Sequence, residues 1–375
     1  MLVSTGHPAL VCLSVLAPPL IICQASRADA CLCAVGYYIG ALMALPVAIA
    51  GFFGPSLFLR VGLYGAALAV LSFPWLLVWG KSYRGLRCIA GVALGTIPPI
   101  GLIGWASPLF AAGWLFPGTG FLGIALLLLL LAATVAAATE KRKRGAFLAA
   151  VVLLICSQIC NIVHGLRLAQ AASFAGVVLH DKLNGGALLD YQQTAAMQAR
   201  VLASGARVTV LPEGAQLNWS EVSEAEWQPT FDDLLAKRRV VLIGATRADE
   251  GQRFHNGILI AGAERAWHEQ RIPVPVAMWR PFTNSGAPIH PWADGIMTIG
   301  GEKTGMLLCY EMAIPWPAIL TLGHYPQHLV GMANDWWAAS VPSVARWQRT
   351  NLEGWARLAG IDSTFAVNLP SEAKP

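Results

Sequence analysis

The chain has 375 residues, 55% of them hydrophobic and only 13% charged, with a mean hydropathy of +0.54, whereas a globular soluble chain carries about 25% charged residues; a wholly soluble protein does not fit. The net charge of +5 is uneven, because residues 1–163 hold nine Lys/Arg against two Asp/Glu and residues 164–375 hold seventeen against nineteen. The halves are therefore near +7 and −2. The basic excess belongs to loops between apolar segments and is no ground for direct nucleic-acid binding.

Crossing a hydrocarbon core of about 30 Å takes about 20 residues of helix. Five apolar runs approach that length: Cys31–Phe53, Leu57–Gly80, Cys88–Trp105, Gly120–Thr139 and Ala146–Val163. A sixth, Pro8–Cys23, is shorter and holds Pro18-Pro19, so the expectation is five or six spans in a helical domain over residues 1–163. No basic segment precedes Pro8, which argues against a cleaved signal peptide. The loop Lys81–Arg87 carries three cations and Lys141–Arg144 four in a row. The positive-inside rule places both in the cytoplasm. The last span then exits, and residues 164–375 are expected outside, on the periplasmic side of a bacterial inner membrane.

Between Ser107 and Gly120 the sequence is uncharged and broken by Pro and Gly. It reads as an ordinary loop, or as an interfacial segment with Trp114 at headgroup depth. No Asp, Glu, Lys or His stands mid-span, which argues against an ion-coupled transporter. Seven of the eight cysteines (Cys12, Cys23, Cys31, Cys33, Cys88, Cys156 and Cys160) fall in this half, where free Cys behaves as a small hydrophobe. None has partners at zinc-site spacing, so no metal is expected.

Beyond residue 163 the pattern changes to short β-branched runs: Arg207–Leu211, Val240–Gly244, Gly257–Ala261, Met306–Leu308 and Leu329–Met332 read as strands. Tyr191–Ala203, Phe231–Lys237 and Ser343–Leu358 read as helices. This alternation predicts an α/β soluble domain over 164–375. Chemistry in such domains gathers where strands end, and three ends carry suitable groups: Pro212-Glu213, Cys309-Tyr310-Glu311 and Asn334-Asp335-Trp336-Trp337. Each has a plain alternative: a packed thiol, a solvated carboxylate, a turn. Their conjunction is what carries weight. Cys309 is also the sole cysteine of this half, so no disulfide forms within it.

The succession V-L-P-E, F-H-N, L-C-Y-E and N-D-W-W (ending at Glu213, Asn256, Glu311 and Trp337) resembles the carbon–nitrogen hydrolase (nitrilase) superfamily, and within it the membrane apolipoprotein N-acyltransferases. Arg349, Glu353 and Arg357 support the likeness. Size, layout and the P-V-P-V-A-M-W loop are similar to the conjugal-transfer TraB proteins of plasmids. The resemblance implies a nitrilase-like αββα sandwich, here shortened at its C-terminus and joined to a multi-pass helical membrane domain. It also implies Glu213 as general base and Cys309 as nucleophile, with Asn256, Glu311, Asn334, Trp336 and Trp337 around the substrate and no cofactor. A catalytic Lys belongs to the family pattern; by spacing its place falls near Glu269, and no Lys occurs between Lys237 and Lys303. Arg271 is the nearest cation and is expected to stabilise an oxyanion, although a guanidinium cannot shuttle protons.

Two functions follow. One is a thiol-dependent acyltransferase or amidase whose partners are a membrane phospholipid or lipid-linked substrate, with a lipoprotein or a protein of the conjugation apparatus. The other is a catalytically inactive membrane scaffold in conjugative transfer, for which the missing Lys argues. Ten tryptophans beyond residue 163 fit either ordinary packing or an apolar lid on the membrane.

Overall fold

The computed structural model describes residues 6–139, 143–166, 173–180, 187–249, 251–338, 341 and 343–370. The chain divides into two compact units: Met1–Leu168 with Ala313–Ile319 and Arg346–Asp362, and Ala169–Met312 with Leu320–Ala345 and Ser363–Pro375.

The first unit is helical. Its elements are α1 (Pro8–Leu13), α2 (Ala17–Ile22), α3 (Arg27–Ala41), α4 (Leu45–Phe53), α5 (Leu57–Val78), α6 (Arg84–Thr96), α7 (Ala112–Leu115), α8 (Phe121–Thr139) and α9 (Lys143–Gly165). Among the described residues three helices, α5, α8 and α9, are long and apolar enough to cross a membrane, or four if α3 and α4, bent by 62°, count as one. The expected five or six runs are reduced by proline. Pro46 would clash with the carbonyl of Leu42 in a continuous helix, so α3 ends at Ala41 and the axis turns before α4. Ile97 precedes Pro98 and takes an extended backbone (φ −87°, ψ 139°), which stops α6 after 13 residues. Lys141 and Arg142 of the four-cation run lie outside the described residues.

The stretch after Ser107 is folded rather than an open loop. Pro108–Ala111 forms a buried 3-10 turn that leads into α7. A methyl group on Gly113 would lie 1.7 Å from the Gly354 carbonyl oxygen, so glycine sets how closely α7 meets the helix Ser343–Ala359. The Arg357 guanidinium stacks 4.7 Å over the Trp114 ring and donates to the Asn161 side-chain oxygen at 2.9 Å. Trp114 is therefore half-buried under the Arg357 side chain.

The second unit holds two sheets. Its strands are β1 (Phe174–Gly176), β2 (Val178–Leu179), β3 (Val208–Val210), β4 (Val240–Ala248), β5 (Gln252–Gly262), β6 (Ala266–Glu269), β7 (Ser285–Gly286), β8 (Ile296–Ile299), β9 (Glu302–Leu308), β10 (His328–Asn334) and β11 (Asp362–Asn368). Its helices are α10 (Ala187–Ala203) and α11 (Glu221–Ala236); α12 (Pro315–Gly323) is divided between the units, and α13, the Ser343–Ala359 helix already described, falls mostly in the first. The first sheet runs β1-β3-β4-β5-β6 with β7 on β5, and the second runs β2-β11-β10-β9-β8. The chain crosses between them at Val177, whose N–H donates to Val210 and whose carbonyl accepts from Val367.

Side chains alternate along a strand, and the strands use both faces. Val208, Val210, Val240, Leu242, Ile258 and Ile260 of the first sheet meet Met306, Leu308, Val330, Met332 and Ala366 of the second in one buried core. The opposite face of the first sheet (Val241, Ile243, Leu259, Ala261) packs against Met197 and Val201 of α10 and Trp227, Phe231 and Leu234 of α11. Burying each such side chain stabilises the unit by roughly 1.5–3 kcal/mol. Helix α11 begins ten residues before its expected start, because Ser220 caps it by accepting from the Ser223 N–H, with Glu221 and Glu224 in the first turn. The five expected strands are present, several of them longer than read.

Candidate active site

Three strand ends of the second unit converge with a residue inside β5. Glu213 follows β3 and is buried. Gly244 of β4 allows it: a β-carbon there would lie 2.2 Å from the Pro212 oxygen and 2.4 Å from the Glu213 α-carbon. We expect Gly244→Ala to push Glu213 off its position, costing about 1–3 kcal/mol. Thermal unfolding and the rate of covalent modification at Cys309 should fall together in that variant.

Asn256 lies on β5 two residues before Ile258, on the face that lines the inter-sheet core, and its side-chain N–H₂ donates to the Glu213 carboxylate at 2.8 Å. Cys309 follows β9 directly, at the first residue of a 3-10 turn Cys309–Ala313, and is half-buried. Its φ of +41° is left-handed, a strained backbone for a side-chain-bearing residue that persists where surrounding structure enforces it. The thiol hydrogen-bonds the Glu213 carboxylate, and the main-chain N–H of Asn334, at the end of β10, serves both groups. The expected pair, Glu213 and Cys309, is thus in direct contact, with Asn256 and Asn334 against it.

The other expected residues have different places. Glu311 is fully buried, and its carboxylate accepts from the N–H groups of Arg271 (2.6 Å), Ile272 (3.1 Å) and Leu308 (3.2 Å) and from the Arg271 guanidinium (3.0 Å). Four donors occupy it, so Glu311 clamps the 271–272 segment to the strand that delivers Cys309 rather than facing a substrate. The Arg271 guanidinium also donates to the carbonyls of Ala293 and Met306 and to the Thr321 hydroxyl. It is 2% exposed and committed to these acceptors. The oxyanion role expected of Arg271 is corrected to that of a buried structural cation. Trp336 is 45% exposed and Trp337 half-buried, next along the chain from the Asn334-Asp335 pair.

Glu269, the position where spacing placed a catalytic Lys, points away. It accepts from His255 (2.9 Å) and from the Trp267 indole (2.7 Å), and Trp267 packs with the α10–α11 side of the sheet. Alternation along β6 turns Ala266, His268 and Gln270 the other way, toward the site. Gln270, 1% exposed, and His268 are the residues the sequence reading missed, whereas Asp335, also 1% exposed, lies in the strand end it singled out. The period of two would have found Gln270 once the register of β6 was known.

The charge balance is unusual for a thiol nucleophile. Burial, first, then the neighbouring Glu213 and Asp335 carboxyls push the Cys309 thiol well above its ordinary value. Burial likewise raises Glu213. Asp335 is pushed up to about 8 by burial and by Glu213, and His268 is brought down to about 4, chiefly by burial. At neutral pH Asp335 therefore keeps its proton and His268 is uncharged. A carboxyl whose folded value exceeds its unfolded one of about 3.9 contributes stability that is full below that value and is lost as pH rises through the folded one. Stability should thus fall between about pH 4 and pH 8 by up to ~1.4 kcal/mol per pH unit for this proton. Thermal unfolding of the detergent-solubilised chain should show that slope, and Asp335→Asn should flatten it.

Among the described residues no group of three or more His, Cys, Asp or Glu is placed to hold a metal ion. What the arrangement offers is a thiol, a base bonded to it and main-chain donors, the parts of covalent acyl chemistry.

No protein-family model matches the chain. It is similar to the probable conjugal transfer protein TraB of Sinorhizobium fredii, 28% identical over 89% of this chain and 86% of that protein. It is also similar to the conjugal transfer protein TraB of Agrobacterium fabrum, 29% identical over 97% of this chain and 89% of that one. Among solved structures, neighbours are carbon–nitrogen hydrolases of the nitrilase superfamily. One from Helicobacter pylori has a TM-score of 0.37 and 14% identity over 50% of this chain and 72% of that one. A nitrilase-superfamily amidase from Nesterenkonia has a TM-score of 0.34 and 13% identity over 52% and 74%. The TraB likeness read from size, layout and the P-V-P-V-A-M-W loop therefore has counterparts among known proteins.

Proposed function

We propose that this chain is a membrane-bound, thiol-dependent acyltransferase or amidase of the carbon–nitrogen hydrolase type that serves conjugal plasmid transfer. The observation that carries the reading is the hydrogen bond from the Cys309 thiol, held at a strained backbone after β9, to the buried Glu213 carboxylate. The three long apolar helices support attachment to a membrane. Lys81 between α5 and α6, with Arg84 and Arg87 in the first turn of α6, supports a cytoplasmic face for that end of the two helices, with the catalytic half outside. The conjugation context rests on what the two bacterial relatives are called.

In this mechanism Glu213 takes the proton of Cys309 as sulfur bonds to the acyl carbonyl carbon. The carbonyl π pair moves to oxygen, where main-chain N–H groups offset the charge. As the carbonyl re-forms, the bond to the leaving amine or alcohol breaks, and Glu213 gives that group its proton. The Cys309 thioester is then opened by an amine or water, whose proton passes through Glu213 to the departing sulfur.

One observation favours a second reading, a non-catalytic scaffold: burial and neighbouring carboxyls push the thiol up, and among the described residues no cation acts on it. Reacting the native chain with a thiol-reactive acyl probe, and following the Cys309 peptide by mass spectrometry, separates the two. Acylation at least about tenfold faster than in a denatured control is expected from base assistance. Equal rates would leave the scaffold.

A further inference from the structure

The Glu213 carboxylate is held inside the molecule by neutral groups. Asn256 spends one side-chain N–H on Glu213 (2.8 Å) and the other on the Gln270 side-chain oxygen (2.7 Å). The Gln270 N–H₂ donates in turn to the carbonyl of Leu308, the residue before Cys309, at 3.3 Å, while its main-chain N–H donates to the Asn256 carbonyl at 2.8 Å. The bonds join the base to the strand that presents the thiol, through residues that follow β3, lie on β5, follow β6 and end β9.

We propose that Gln270 is a positioning residue of this site, which through Asn256 fixes the Glu213 carboxylate against Cys309 and takes, without charge, the place where a cation would stabilise the thiolate. The proposal rests on the reading of Cys309 as a nucleophile. Three features carry it. Gln270 is 1% exposed and Asn256 2%, so the amide pair is shielded from water, where a hydrogen bond and a charge both act more strongly. Both Asn256 donors are used, which fixes its amide orientation: the N–H₂ must face Glu213 and Gln270, and cannot flip without presenting oxygen to oxygen. The nearest cation on the same segment, Arg271, is engaged by Glu311 and three further acceptors, so it does not neutralise Glu213.

A neutral link has a consequence that simple packing lacks: the site should respond to the sign of a charge placed at 270. A charge within a few ångströms in a shielded site shifts a neighbouring group by about one to three pH units, which is roughly a tenfold or larger change in thiolate at a fixed pH below its midpoint. A Lys at 270 should favour the Cys309 thiolate and a Glu should oppose it.

The test alkylates the full-length, detergent-solubilised protein with iodoacetamide at pH 8 and reads the Cys309 peptide by mass spectrometry, with the other seven cysteines as internal references. Gln270→Lys should label at least about tenfold faster than wild type and Gln270→Glu at least about tenfold slower. Gln270→Leu, which removes both side-chain hydrogen bonds, should keep the alkylation rate within a few-fold while losing about tenfold in base-assisted acylation. Thermal unfolding confirms that each variant folds; if one charged variant does not, the other is read against Gln270→Leu. Charged variants that both slow, or that both stay at the wild-type rate, overturn the proposal. The comparison of native with denatured wild type judges the thiol-enzyme reading separately, so the two failures are distinguishable.

Discussion

A Cys309→Ala variant is expected to insert and fold as the wild type does yet carry no acyl group and lose at least ~10³-fold in acyl transfer. Removing a nucleophile eliminates the covalent route outright, whereas removing its base slows it by about 10²–10⁴-fold. Glu213→Gln should therefore fall into the second class. It keeps an oxygen for the Asn256 amide (2.8 Å in the wild type) and removes only the ability to accept the thiol proton. Effects of groups that act as a unit are not additive, so the double variant should be no slower than Cys309→Ala alone. Product formation under single-turnover conditions, measured alongside unfolding temperature, checks each point.

The second large effect is on stability. Glu311 and Arg271 form an ion pair with exposures of 0% and 2%. Glu311→Ala strands the guanidinium without its counter-charge and frees the N–H groups of Arg271, Ile272 and Leu308. Breaking one side of such a buried pair costs about 3–5 kcal/mol. That is a large share of the 5–15 kcal/mol by which domains are stable, so Glu311→Ala should unfold far below the wild-type temperature, or not accumulate folded. Replacing both partners by apolar residues should recover part of the loss. Denaturant unfolding of the single and double variants would show the non-additivity.

The parts of this site that the sequence makes legible are those fixed by local pattern. Apolar β-branched runs announce β3, β9 and β10, and a polar residue at the end of each is a strand-end group, so Glu213, Cys309 and Asn334 can be placed before any contact is known. Asn256 also follows from its motif. The inward turn of Gln270 cannot be read that way. It depends on the pairing of β6 with β5, where Gly257 lies opposite Glu269, and a shift of one residue exchanges which face each side chain takes. Counting spacing alone points to Glu269, whose side chain takes the opposite face. Arg271 misleads for a related reason: charge suggests solvent or substrate, and only the tertiary structure reveals Glu311 waiting for it. In the helical half the apolar runs are legible, but Pro46 and Pro98 decide where helices end, and hydropathy does not register them. Strands β1, β2, β6, β7, β8 and β11 carry no such mark, being short or partly exposed, without the apolar run that announces the others.

That Glu213 acts on Cys309 to form a thioester is tested most directly by trapping that species. The full chain would be mixed with a small activated ester, p-nitrophenyl butyrate, quenched in acid, and every cysteine peptide weighed. A butyryl group on Cys309 that hydroxylamine removes, and that fails to accumulate in Glu213→Gln, is the result expected. An unmodified Cys309, or equal acylation with and without the Glu213 carboxylate, would contradict it.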